Sequence, residues 1–141
     1  MNLEDIRKYC ALKKGSNETY PFDEETLVIR VASKMYLLTN INSKELSISL
    51  KCDPFRAQAL RLDYPCITPG YHLNKKHWIT IAIDGTLTEE MIYSLIDHSY
   101  DLVYKGLKKA EKLLLEAWKH EYPFSLSSHS LNILAVIAEC I

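Results

Sequence analysis

The run Pro69-Gly70-Tyr71-His72-Leu73-Asn74-Lys75-Lys76-His77-Trp78 places two lysines, two histidines, an amide and two aromatic residues within ten positions. Ammonium groups attract phosphates, the Asn amide both donates and accepts, and the face of a Tyr or Trp ring is a surface on which a base can stack. The surrounding region is locally basic. Between residues 44 and 78, Lys44, Lys51, Arg56, Arg61, Lys75 and Lys76 stand against Glu45, Asp53 and Asp63, an excess of three positive charges. These residue types point to recognition of nucleic acid: Lys51, Arg56, Arg61, Lys75 and Lys76 on phosphates, and His72, Asn74, His77 and Trp78 in shorter-range contacts near a groove or an unpaired base.

Two plainer readings apply to the same residues. Lys75-Lys76 beside a strand can serve as a solvated edge that discourages sheet-to-sheet pairing, with Trp78 covering a sheet face. The whole run can also be architectural, with Pro69-Gly70 setting a turn, Asn74 satisfying backbone groups and Trp78 packing.

Other chemistries find little support. His72 and His77 lack a third ligand for a metal. Ser47 and Ser49 lie on an expected strand without a nucleophile elbow, and glycines at 15, 70, 85 and 106 make no Gly-rich phosphate loop. Asp97-His98-Ser99 spells a triad, but consecutive helix residues diverge in direction, so it reads as helical surface polarity. No catalytic residue, cofactor or metal is expected, and the chain reads as a binding module rather than an enzyme.

The elements that must position these groups follow from length and pattern. A chain of 141 residues with 48% hydrophobic and 25% charged residues fits one globular domain, and 17 Lys plus Arg against 18 Asp plus Glu leave a net charge of −1. Any nucleic-acid binding must therefore come from a local patch rather than from bulk charge. Met1-Asn2-Leu3-Glu4-Asp5 lacks the basic and then apolar run of a secretory signal, and no stretch approaches the roughly 18 to 20 apolar residues of a membrane span. The expected setting is cytoplasmic, away from membranes. Cys10, Cys52, Cys66 and Cys140 form no C-x-x-C pair and are expected to be reduced and mostly buried.

Asn2 caps an expected first helix that closes near Gly15, followed by a polar loop from Ser16 to Glu25 that tucks Tyr20 and Phe22 onto the core. Leu27 to Ala32 and Met35 to Leu38 form a hairpin, and the alternation of Leu46 to Lys51 adds a third strand. Asp53-Pro54 then starts a helix running to about Asp63, with Phe55, Ala59 and Leu62 on one apolar face. After an irregular stretch, His77 to Ile83 returns to strand periodicity. Thr88 caps a helix whose pattern persists past Gly106 to about Trp118, and Ser130 to Ile141 reads as a packing or dimerisation helix.

The segments Ile48-Ser49-Leu50-Lys51-Cys52-Asp53-Pro54, Ile67 to Ile79, Asp84-Gly85 and Ser99-Tyr100-Asp101-Leu102-Val103 occur in an order and at spacings that strongly resemble the MmcQ/YjbR family. The resemblance covers roughly residues 1 to 109. It implies an α+β fold similar to CyaY and frataxin: an antiparallel sheet covered on one face by N- and C-terminal helices, here with an extra C-terminal helical extension. It also implies DNA as the partner and a double-wing arrangement, whose wings would be the hairpins around Ser33-Lys34 and Asn40 to Lys44.

Two departures qualify it. Frataxin-like iron binding relies on an acidic first helix, whereas Glu4 and Asp5 are offset here by Arg7, Lys8, Lys13 and Lys14. The chain also runs past the family's usual end, dividing it into a family domain at 1–110 and a helical extension at 111–141. That extension would pack on the same domain or make a homodimer. The rival expectation is a small-ligand or protein-binding domain of the same fold with no nucleic-acid role, in which the Tyr71 to Trp78 segment lines a pocket.

Overall fold

The structure, a computed structural model, describes residues 1–70 and 72–121, with side chains described through 117. Tyr71, Cys140 and the helix and dimer contact expected of Ser130 to Ile141 lie outside the described residues. The fold is α+β, and the described residues form ten elements in the order α1 (Leu3–Ala11), β1 (Ser16–Thr19), β2 (Thr26–Val31), β3 (Lys34–Asn40), β4 (Ser47–Lys51), α2 (Pro54–Asp63), β5 (Ile67–Pro69), β6 (Trp78–Ala82), α3 (Glu89–Lys105) and α4 (Lys109–Glu121). The strands form one antiparallel sheet in the order β1-β2-β3-β4-β6-β5.

Period-two alternation decides which sheet face is covered. Leu27, Ile29, Leu37, Ile48, Leu50, Ile79 and Ile81 point into one core with Ile6 and Cys10 of α1, Ala57 and Leu60 of α2, and Ile92, Leu95, Ile96 and Val103 of α3. The helices thus share one face, and Ser47, Ser49 and Thr80 point to the other. Cys10 and Cys52 are buried thiols, and burial pushes that of Cys10 up to about 11.

Local capping chemistry starts the helices where the sequence reading placed them. Asn2 and Asp5 form a reciprocal capping box on α1, with N···O distances of 2.9 and 3.0 Å. The Asp53 carboxylate accepts from the Arg56 N–H at 3.0 Å, with Pro54 in the first turn of α2, and the Thr88 hydroxyl accepts from the Met91 N–H at 3.1 Å.

Several expectations need correction. Ser16–Thr19 is not loop but the edge strand β1, paired with β2. Its Ser-Asn-Glu-Thr sequence has no apolar alternation because its pairing is backbone-driven, and the buried Asn17 amide bonds the Ala32 carbonyl at 3.2 Å. Tyr20 and Phe22 do not tuck onto the core and are 45% and 65% exposed. The first helix ends at Ala11, and Gly15 turns the chain at φ 74°, where an added Cβ would meet Leu115 of α4 at 2.6 Å.

On α2 the expected inward face is reversed. Phe55 and Leu62 are exposed, whereas Ala57 and Leu60 face the core, because buried Cys52 before the helix and buried Ile67 after it fix its rotation. Ile67–Pro69, expected to be irregular, is a three-residue edge strand with Pro65 just before it. The long C-terminal pattern is two helices, broken at Gly106 and the buried Leu107. Among the described residues, no helix is long and apolar enough to cross a membrane.

Candidate nucleic-acid interface

The loop between β5 and β6 is built by its own backbone. Gly70 donates to the Trp78 carbonyl at 2.9 Å, and a Cβ at position 70 would lie 2.6 Å from the Cβ of Trp78, so only glycine fits there. His72 takes a left-handed backbone (φ 57°), a region where His is tolerated better than most non-glycine residues. The Asn74 side-chain oxygen accepts from the N–H groups of Lys76 (2.9 Å) and His77 (3.3 Å), and its carbonyl accepts from that of Trp78 at 3.0 Å. Asn74 thus closes the turn on which Lys75 and Lys76 are exposed. Trp78 is 8% exposed, so its ring packs instead of presenting a face to an incoming base.

Two hydrogen bonds join this loop and the end of β4 to the rest of the molecule. The Cys52 N–H donates to the His77 carbonyl at 2.8 Å, and the Lys51 N–H donates to the Ser99 hydroxyl at 2.9 Å. Ser99, fully buried, in turn donates to the Tyr36 carbonyl at 2.6 Å. The β3–β4 ladder runs out beyond Leu37↔Leu50, and this hydroxyl stitches the two strands where they part.

Ser99 is therefore not surface polarity, as its position beside Asp97 and His98 suggested. The three residues serve three different partners. Asp97 accepts from Tyr9 and Lys13, and His98 Nε2 accepts from the Asp53 N–H at 3.1 Å. Burial, followed by the charge of nearby Arg56, holds the His98 imidazole below its ordinary pKa and keeps it a neutral acceptor.

The end of β4, the start of α2 and the loop before β6 therefore meet at one end of the sheet. They bring Lys51, Arg56, Lys75, Lys76 and His77 to that end. Lys51, Arg56, Lys75 and Lys76 enter none of the ion pairs among the described residues. Arg61 sits in the last turn of α2, its Nη1 buried without a hydrogen-bond partner among the described residues, and like Arg56 it lies near enough to Cys52 for its charge to act on that thiol. The Ser33-Lys34 hairpin tip is no free wing. Ala32 is buried with its N–H on the Gly15 carbonyl, Arg30 bonds the Ser33 carbonyl at 2.7 Å, and Lys34 reaches the Gly106 carbonyl at 3.2 Å. The second tip, Asn42 to Glu45, is exposed.

His72 and Leu73 face elsewhere. They wall a groove of about 440 Å³ on the uncovered sheet face, opposite Phe22 from the β1–β2 loop. Its floor holds Leu38 and the hydroxyls of Ser49 and Thr80, which bond each other at 2.9 Å. The motif thus divides between a basic end and a groove wall. Sequence reading missed Phe22, Ser49 and Thr80 as groove residues, and only the outward phase of Ser47 and Ser49 hinted at them. Among the described residues, no three His, Cys, Asp or Glu side chains cluster as metal ligands.

Comparison with known proteins shows the family. The YjbR family model matches residues 11–102. Two Escherichia coli proteins named as uncharacterized align along most of the chain. YbdF from strain O157:H7 is 36% identical over 112 residues, covering 79% of this chain and 92% of its own. YjbR from strain K12 is 30% identical over 115 residues, covering 82% and 98%. The crystal structure of Deinococcus radiodurans protein DR2400, described by the family domain DUF419, superposes with a TM-score of 0.77 at 47% identity, covering 82% of this chain and 88% of that one.

Proposed function

This chain belongs to the YjbR family, and on that premise we propose that it is a non-enzymatic DNA-binding module whose contact surface is the basic end of the sheet. One observation carries the reading: strand register and backbone hydrogen bonds bring Lys51, Arg56, Lys75 and Lys76 to one end of the sheet, and among the described residues they make no ion pair, on a chain whose net charge is only −1. Cations presented on one end of a sheet attract a phosphate backbone, and neutralising its phosphates releases their counterions. His77 adds a hydrogen-bonding imidazole at the same end.

The test is a titration of labelled duplex at several salt concentrations. Four neutralised phosphates give a slope of log affinity against log salt of about −3 to −4. Binding that ignores salt, or no saturable binding at low salt, overturns the proposal. The rival reading, a small-ligand domain with no nucleic-acid role, draws support from the groove walled by His72 and Leu73.

A further inference from the structure

We propose that the groove on the uncovered sheet face binds an uncharged planar heteroaromatic ring, the chemistry of a nucleobase; where that ring belongs to a DNA strand, the inference rests on the nucleic-acid reading above.

The charge of the lining argues for a neutral guest. Among the described residues, no Asp, Glu, Lys or Arg lines the groove, and His72 is the one titratable group there. A phosphate or carboxylate would find no fixed countercharge there, and burying one without a partner is costly. The apolar surface comes from Phe22, Leu38 and Leu73, and the polar groups are mainly hydroxyls such as Ser49 and Thr80. Hydroxyls both donate and accept, which suits the mixed edge of a heteroaromatic ring better than an aliphatic chain.

The volume of about 440 Å³ lies within the range of small-molecule sites and leaves room for a nucleoside. Phe22 stays largely solvent-exposed although its loop is ordered. Asp23 Oδ1 accepts from the N–H groups of Glu25 (2.9 Å) and Thr26 (2.7 Å), fixing the turn that holds Phe22 at the rim. An ordered, exposed aromatic at a groove mouth is a stacking platform.

The two regions are continuous in sequence. Only Asn74 separates the groove-wall pair His72-Leu73 from Lys75-Lys76, so a strand with its phosphates on the basic end is placed to lower an unpaired base into the groove. That geometry favours single-stranded or locally opened DNA over intact duplex.

The test uses the full chain in two arms. In the first, ¹⁵N-labelled protein is titrated with adenosine and with uridine, which carry no phosphate. In the second, a single-stranded oligonucleotide is compared with the same strand bearing one abasic site. Saturable nucleoside shifts at Ser49, Leu73 and Thr80 are expected, together with a loss of about tenfold for the abasic strand, within the range that one stacked base supplies.

Ser49→Leu, which fills the floor, should abolish nucleoside binding. Phe22→Ala, at an exposed position that the fold does not need, should weaken it about fivefold or more. Nucleoside binding without oligonucleotide binding leaves the groove assignment standing and overturns the nucleic-acid reading. Oligonucleotide binding indifferent to the abasic site, with no nucleoside shifts, overturns the groove assignment and spares the basic end.

Discussion

The cations of the first helix and its following turn contrast with those at the β4–α2 end. Arg7 grips Glu18 through Nε and Nη2 at 2.8 and 2.7 Å and reaches Glu4 as well. Lys13 bonds Asp97 and lies over the rings of Tyr9 and Tyr100 at 5.1 and 5.0 Å, and Lys14 meets Glu116 of α4 at 3.2 Å. Burial and Asp97 push the Tyr9 phenol up to about 12, so it remains a hydrogen donor in this cluster. These positive charges tie α1 to β1, and the turn after α1 to α3 and α4. At the other end, Lys51, Arg56, Lys75 and Lys76 make no such links among the described residues. A near-neutral chain thus divides its cations between holding the fold and facing outward, and net charge alone conceals the division.

The contrast is broken most directly by exchanging the sites of substitution. Lys75→Ala with Lys76→Ala should lower DNA affinity about 30-fold or more at low salt and reduce the salt slope by about two, while leaving the urea midpoint unchanged. Lys14→Ala should do the reverse, shifting the midpoint and not the DNA isotherm. Equal loss of affinity from both variants would remove the distinction.

Next in size is Ser99→Ala, which leaves the buried Tyr36 carbonyl and Lys51 N–H without their shared partner. A loss of about 1–3 kcal/mol in denaturant unfolding is expected. Asp53→Ala removes the cap at the start of α2 and should cost about 1 kcal/mol by the same measurement.

The smallest effect is the pH response of His98. Its folded pKa lies below the ordinary 6.5, so the unfolded chain binds more protons in that window. The stability it contributes is fully present above pH 6.5 and declines as pH falls toward the folded value. His98→Leu should flatten that slope in urea midpoints measured across the window, and an unchanged slope would assign the response to another group.

Much of this was legible in the residues. Asn2, Asp53-Pro54 and Thr88 announce helix starts because capping is a contract among residues three apart. Strands β2, β4 and β6 declare themselves by apolar alternation, and β3 by the apolar run Met35 to Leu38 just after β2. What escaped was non-local. β1 is polar and takes its conformation from its partner, and the rotation of α2 depends on buried anchors at both ends. The stitching role of Ser99 was hidden because its partners are 48 and 63 residues away. The groove gathers hydroxyls from separate strands that only sheet order brings together. In the 69–78 motif, composition disclosed the lysines, but not that Asn74 closes the turn or that Trp78 is packed away.

The two borders of the sheet carry a consequence of their own. One is four residues long with its Glu18 engaged by Arg7, and the other is three residues long with a proline inside it. Neither leaves a row of open backbone groups long enough to template another chain's strand. Among the described residues, the sheet borders of crowded copies are therefore guarded against cross-β polymerisation and strand exchange.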